Sequence, residues 1–579
     1  MTPNQIETDL HPRMASVAYF SMEIALHAEI PTYSGGLGVL AGDTLRSAAD
    51  LQLPMVAVSL LHRKGYFRQT LDPQGNQSES PETWDPVVHL EHLPVTAVVL
   101  VEGRHVEIGV WRYAVRGVSG HVVPVYLLDT CSSVNSPFDA ALTDCLYGGD
   151  DHYRLCQEAV LGIGGCLILE KLGYEQIKSF HMNEGHSALL GLALLEREME
   201  AAAPNTSAAN AIDIVRRRCV FTTHTPVPAG NDRFSVDLAR QVLGQARISL
   251  LAETDSFHDG VLNMTYLALR FAHYVNGVGM HHGEVSRGMF PNYPIRAITN
   301  GVHAVSWTAP SFQELYDRHI PEWRRDNLYL RYVLGISLAE IATAHGRAKQ
   351  AMLSALHERT GTSLDPNVLT IGFARRAATY KRLELLFSDP ERLKRMARDV
   401  GPMQIVYGGK AHPRDEGGKE EIRRVFSAAS ALHDAIKVVF VENYDLRWAQ
   451  LLTSGTDLWL NTPQHPQEAS GTSGMKAALN GVPSLSVMDG WWVEGHIQGV
   501  TGWSIGKDEP SGDVNEELAS LYDALERIIL PLYYGGPDSY TTIRRFAIAL
   551  NGAFFNTQRM MAQYVVNAYA AQSWRDDAG

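Results

Sequence analysis

Basic residues are in short supply in this chain: 50 Lys and Arg stand against 64 Asp and Glu, for a formal charge of −14 and a pI near 5.9. Affinity for a nucleic-acid backbone rests on neutralising phosphates, so nucleic acid is excluded as a partner. Cysteine is rarer still. Cys131, Cys145, Cys156, Cys166 and Cys219 are odd in number, confined to the first half and lack metal-like pair spacing. They read as reduced packing residues of a cytoplasmic protein. No apolar run reaches bilayer-crossing length, and the opening MTPNQIETDLHPRM has neither the basic nor the apolar region of a secretory leader. No membrane partner is expected. Internal repeats and low-complexity tracts are also missing.

What is present is bulk: 579 residues with 45% hydrophobic content, more than one core holds, which predicts two large domains. Beyond residue 366, short apolar runs alternate with polar, Gly-rich turns and helical stretches. The runs are Val368–Phe373, Gln404–Tyr407, Ile436–Val441, Asp457–Leu460 and Pro483–Val487. That alternation predicts a parallel α/β sheet wound on both faces, with ligands beyond the carboxyl ends of its strands. The first half repeats the logic with runs at Val17–Phe20, Met55–Leu60, Lys178–Met182, Cys219–Thr222 and Ala297–Thr299. Alternating runs near 88–130 predict an antiparallel insertion on that domain. The domains are expected at 1–304 and 305–579, with a last helical stretch, 543–571, long enough to pack against either.

Several segments carry chemistry. Pro466-Gln-Glu-Ala-Ser-Gly-Thr-Ser-Gly-Met-Lys476 places a carboxylate, hydroxyls and glycines before a helix bearing one lysine. Amides at such a helix start favour an anionic oxygen, and partial burial would lower the amine's pKa and favour imine formation. Spacing alone favours an ordinary strand-to-helix loop with a snorkelling lysine. Arg375, Arg376, Tyr380, Lys381 and Arg382 follow a strand directly. Cations converging there suit a phosphate dianion, while the plainer alternative is a solvated helix face. Tyr407-Gly-Gly-Lys-Ala411 adds an amide-rich turn. Tyr33-Ser-Gly-Gly-Leu-Gly38 lets backbone approach a ligand or is simply a tight structural turn, and it matches neither a dinucleotide fingerprint nor a Walker loop. His181-Met-Asn-Glu-Gly-His186 and Thr223-His-Thr-Pro-Val-Pro228 put imidazoles at strand ends. His281, His282 and Glu284 look superficially like ligands, but adjacent histidines leave a helix on different faces and no third ligand is evident. No metal is expected.

Taken in order, these segments resemble the glycogen and starch phosphorylase family from Ala18 to about Glu494. The matches are Tyr-Phe-Ser-Met-Glu23, Gly-Gly-Leu-Gly38, the His186 segment, Thr-His-Thr225, Thr-Asn-Gly301, Arg376 to Lys381, Gly-Gly-Lys-Ala411, Asn-Tyr444 and Glu468-Ala-Ser-Gly-Thr through Lys476. The resemblance implies a GT-B fold, two Rossmann-like domains flanking a deep cleft. It implies a cytoplasmic enzyme that uses inorganic phosphate to cleave a terminal α-1,4 bond of an α-glucan, with retention, releasing glucose 1-phosphate. It assigns pyridoxal 5'-phosphate to Lys476, with Thr472, Tyr444 and Lys381 beside the cofactor. Gly36, Leu37, Asn300, Tyr380, Glu468, Ser470 and Gly471 would meet substrate, and Arg376, Lys381 and His224 would serve catalysis with Lys476. Glu184 and His186 match more loosely. A homodimer is implied as well.

The chain departs from the family in two places. Ser473-Gly474 stands where many relatives read Gly-Asn, and the first motif begins within twenty residues. Little response to AMP or kinase treatment is therefore expected. Of the alternatives, a sugar-nucleotide-dependent glycogen or starch synthase shares the fold and the Gly-Gly-Leu-Gly turn but has no use for Lys476. A non-catalytic glucan-binding relative would not need the cations and the lysine together.

Overall fold

Runs such as Val17–Phe20 and Met55–Leu60 are apolar at almost every position because helices cover both faces of their sheet, and every residue in them is buried. The computed structural model describes residues 15–201, 207–227, 230–507 and 512–570. The opening MTPNQIETDLHPRM, Pro228 and Ala571 lie outside these residues. Two large sheets organise the rest. The first has nine strands, in spatial order Ile295–Ala297, Tyr274–Gly277, Cys219–Thr222, Ser179–Asn183, Val17–Phe20, Met55–Leu60, Val122–Asp129, Arg104–Arg116 and Glu91–Val101. The first seven run parallel, and the last two join antiparallel.

The second sheet is wholly parallel: Lys437–Val441, Met403–Gly408, Leu369–Ala374, Leu458–Asn461, Ser484–Val487 and Gly502–Ile505. Its strands lie in the order third, second, first, fourth, fifth, sixth, the doubly wound pattern of a nucleotide-binding fold. In each sheet the earliest strand sits where chain direction across the sheet reverses, and there a crevice opens beyond the carboxyl ends. Together the sheets form the GT-B architecture that the sequence implies.

Some expectations need correction. The three strands of the 88–130 excursion are antiparallel to one another as expected, but they lie in the first sheet itself, because Val122–Asp129 also pairs parallel with Met55–Leu60. The run at Ala297–Thr299 ends as a strand at Ala297, since the chain turns there towards the cleft. Tyr274–Gly277 and Gly502–Ile505 were not foreseen, being short and interrupted by polar residues and glycine. The last helical stretch is not one helix but segments at Pro537–Phe546 and Thr557–Tyr564, each followed by a wider π turn. It returns to the first half, where Thr557 Oγ1 meets Ser47 Oγ on the helix Gly36–Asp50 at 2.6 Å and Tyr569 Oη meets His181 Nδ1 on the first sheet at 2.6 Å. Cys156, Cys166 and Cys219 are buried packing residues, but Cys131 is exposed.

A hairpin, Arg68–Leu71 with Gln77–Ser80, crosses from the first half to the second. Gln69 Nε2 donates to Gly409 O at 3.0 Å, Gln77 Nε2 to Ala411 O at 2.8 Å and the Leu71 amide to Glu442 at 2.8 Å. Lys410 reaches back to Phe67 O at 2.9 Å. These bonds close one end of the space between the sheets. Among the described residues no helix is long and apolar enough to cross a membrane.

Candidate active site

All thirteen residues singled out from the sequence line one cleft of about 680 Å³ between the two sheets. Gly36, Leu37, His224 and Asn300 come from the first half. Arg376, Tyr380, Lys381, Tyr444, Glu468, Ser470, Gly471, Thr472 and Lys476 come from the second. A volume of that size suits a small ligand together with a cofactor-sized group.

On the first wall, Glu23 lies just past the strand Val17–Phe20 and organises the glycine loop. Its carboxylate accepts from the Ser34 amide at 2.6 Å, the Gly35 amide at 3.3 Å and Tyr147 Oη at 2.8 Å. The helix Gly36–Asp50 then starts at the cleft with no side-chain cap and no acidic residue in its first turn. Its leading amides are thus free to face an anion. Gly35 and Gly36 have open space where a Cβ would stand, whereas one on Gly38 would lie 2.6 Å from Glu23 Oε2 and 2.8 Å from Tyr33 Cβ. Gly38→Ala is expected to displace Glu23, cost roughly 1–3 kcal/mol in urea unfolding and lower activity with it.

The opposite wall is cationic. Arg375 and Lys381 both donate to Glu468 Oε2, and Lys381 Nζ also sits 4.3 Å over the Tyr380 ring. Burial alone would raise the Glu468 pKa, but Lys381 and Arg375 outweigh it and bring it down to about 2. Burial, then Arg375, pulls Lys381 below its ordinary value against the attraction of Glu468. The carboxylate is ionised at neutral pH and is held by two cations, Arg375 and Lys381, while a third, Arg376, lines the same cleft. Arg375 Nε and Nη1, Ser470 Oγ and Asn300 Oδ1 are buried in this cleft without a hydrogen-bond partner. Buried orphans of this kind cost about 1–3 kcal/mol each, and their convergence marks where a polar ligand belongs. Arg376 differs: it is enclosed by the cleft walls yet open to the cleft's solvent.

Replacing Glu468 by Gln should leave two buried cations unpaired and cost roughly 3 kcal/mol. Because the folded pKa is depressed from 4.5 to about 2, this stability is fully present above pH 4.5 and is lost as pH falls towards 2. Urea unfolding of both proteins should show the gap closing across that window. A constant gap would show that Glu468 contributes through packing.

Lys476 occupies the short helix Ser473–Leu479. Its amine is buried 3.8 Å over the Trp307 ring, and burial lowers its pKa to about 8, with Asp43 opposing. Trp307 is itself held by a 2.7 Å bond from Nε1 to Asp43 Oδ2. The preceding loop is tight: Gly471 adopts φ +77°, and a Cβ on Gly490 would lie 2.5 Å from Ser470 O.

His224 is positioned by neighbours. Nε2 meets Asn183 Oδ1 at 2.7 Å, and the His224 amide donates to Glu184 at 2.8 Å. Burial, with nearby His282, His186 and His181, holds the ring well below the usual histidine range, so it is neutral. Glu184 sits at φ +78° and also accepts from Thr225 Oγ1 at 3.0 Å. His186 accepts from the Met22 amide at 2.9 Å, tying two strand ends together. Tyr444 stands beside Gly408, at the end of the neighbouring strand.

Sequence reasoning gave Arg375 only as one of the cations of the basic run, without its partner, and assigned no role to Glu23 or Trp307. Arg375 adjoins Arg376 in the basic run, and its role became visible only when Glu468 arrived beside it. Glu23 closes a quoted motif, but nothing local links it to a loop eleven residues on. Trp307 carries no sequence signal of its own.

A family model for carbohydrate phosphorylases matches residues 244–500. The chain is 38% identical over 598 residues to a maltodextrin phosphorylase of Thermococcus litoralis, covering 96% of this chain and 70% of the relative. It is 38% identical to a glycogen phosphorylase of Mycobacterium tuberculosis, covering 97% and 72%, and 34% identical to one of Aquifex aeolicus, covering 96% and 86%. With its two wound sheets, its shared cleft and relatives matched along nearly its whole length, the chain belongs to the carbohydrate phosphorylase family.

Proposed function

We propose that this chain cleaves terminal α-1,4-glucosidic bonds of an α-glucan with inorganic phosphate, with retention, releasing α-D-glucose 1-phosphate. The observation that carries the proposal is one cleft holding three cations, an uncapped helix start and a buried amine of lowered pKa. The residues fit pyridoxal phosphate. An amine with pKa about 8 is partly unprotonated near neutrality, as covalent attachment needs, and the orphaned Arg375 donors suit a phosphate group. When bound, the cofactor would supply a second phosphate, with pKa about 6, able to give or accept a proton.

In this reading Lys476 anchors the cofactor, with Thr472, Tyr444 and Lys381 around it. Arg376, Lys381 and the amides of Gly36 and Leu37 hold the substrate phosphate. Asn300, Tyr380, His224, Glu468, Ser470 and Gly471 orient the glucosyl unit. The substrate phosphate protonates the glycosidic oxygen as the anomeric C–O bond breaks, and its oxygen then bonds to the anomeric carbon. The cations stabilise charge on phosphate, and burial keeps water from competing. Neutral His224 offers a hydrogen bond without adding positive charge beside an oxocarbenium-like centre.

The test is glucose 1-phosphate formation from maltodextrin with and without phosphate, and glucan extension with UDP- or ADP-glucose. Phosphate-dependent product alone is expected. Extension from the sugar nucleotide without phosphorolysis would overturn the proposal.

A further inference from the structure

Beside the cleft, and outside the roles above, the fold brings together side chains that the sequence keeps apart. His281 lies in the first turn of the helix Met280–Met289 next to the first sheet. His465 lies in the loop after Leu458–Asn461, and Asp489 follows Ser484–Val487, both at the second sheet. One ring nitrogen of each histidine and a carboxylate oxygen of Asp489 lie within 4.8 Å of one another. The rings stack at 5.2 Å and 23°. His281 Nε2 and His465 Nδ1 are buried without a hydrogen-bond partner, and the latter is 3.8 Å from Asp489 Oδ1. The sequence pairing of His281 with His282 does not survive: His282 turns inward and accepts from the Val278 amide at 3.1 Å. Glu284 approaches the other side of His281, with Oε2 3.7 Å from Nδ1, leaving Nε2 for the cluster.

We infer that His281, His465 and Asp489 form a binding site for a divalent transition-metal cation that joins the two sheets. Two imidazoles and one carboxylate are a donor set for zinc or its neighbours rather than for magnesium or calcium, which prefer all-oxygen shells. Zinc binds such atoms at about 2.0–2.2 Å, so the side chains must close by roughly 1 Å or less, with water completing the shell. The surroundings hold the ligands in place. Asp489 accepts from the Glu468 amide and the Gly490 amide, both at 2.9 Å. Across the gap, Glu494 accepts from the Met280 amide at 2.9 Å and from Thr299 Oγ1 at 2.7 Å. A bound cation would therefore clamp the loop carrying Glu468 against the first wall of the cleft.

The purified full chain, treated with chelator and dialysed, is titrated with zinc chloride by calorimetry and with cobalt chloride by visible absorption. A second histidine cluster, His27 with His89 and Glu29, lies elsewhere on the surface. The titration is therefore repeated in the His27→Ala/His89→Ala background. One equivalent should bind in both proteins, with a cobalt spectrum of low coordination number. Affinity should fall at least about tenfold in His281→Ala and in His465→Ala. If either alanine variant fails to fold, as judged by melting without metal, His465→Gln provides the same comparison. Absence of binding, unchanged affinity in the His281 and His465 variants, or loss of all binding in the His27/His89 background would each overturn the site.

Discussion

Lys476→Ala is expected to give folded protein that carries no covalently attached pyridoxal phosphate and whose phosphorolysis falls by more than about a thousandfold. That exceeds the loss typical of a single electrostatic donor, because the anchoring amine itself is gone. Folding should survive, since Lys476 lies against the Trp307 ring rather than a carboxylate and alanine relieves the cost of burying an amine. Cofactor content is read by absorption and intact mass, separately from activity. In the wild-type apoprotein, attachment should quicken as pH rises and level off above about 8, where the amine is unprotonated. Full cofactor retention in the variant would remove Lys476 from the site, and a rate independent of pH would remove its lowered pKa from the explanation.

Arg376→Ala and Lys381→Ala should each lower turnover by roughly two or more orders of magnitude, but their stabilities should part. Two phosphates side by side repel strongly in a low-dielectric cleft, and the cations around them offset that repulsion. Arg376 opens onto the cleft's solvent, so its removal should alter unfolding free energy by no more than about 0.5 kcal/mol. Lys381 is buried against Glu468, so its removal leaves that carboxylate to Arg375 alone and should cost about 3 kcal/mol. Arg376→Lys should recover only part of the lost rate, because an ammonium cannot present two parallel donors to phosphate. Kinetics with phosphate and maltodextrin varied separately should show the phosphate KM rising more than the glucan KM in Arg376→Ala. Near-native turnover with unchanged phosphate dependence in both alanine variants would make this segment a solvated face.

Much was legible because it is local. A strand buried on both faces must be apolar throughout, so Leu369–Ala374 and Met403–Gly408 stand out from the polar turns that end them. The segment from Glu468 to Lys476 is likewise contiguous, and chain connectivity alone places its carboxylate, hydroxyl and amine in one loop and helix start. Gly502–Ile505 escaped because Gly, Trp and Ser form no apolar run, yet it completes the second sheet. The antiparallel strands were visible as strands, but their joining the first sheet was not. Strand pairing is decided by which edge is open, not by the pattern along the run.

The sequence by itself determined the wound α/β class, the strand ends at which chemistry collects and the identity of most cleft-lining side chains. Tertiary structure alone decided which charges neutralise one another. Glu468 is held by Arg375 and Lys381 because the carboxyl ends of Leu369–Ala374 and Leu458–Asn461 are neighbours in the sheet. The burial of Lys476 over Trp307, the closure of the cleft by the hairpin at Arg68–Leu71 and the meeting of His281 with His465 and Asp489 were decided in the same way. The reason is physical. Hydrophobic periodicity is fixed by near neighbours in the chain, whereas a pKa or a ligand set depends on groups within a few ångströms, and packing of the two sheets chooses those groups.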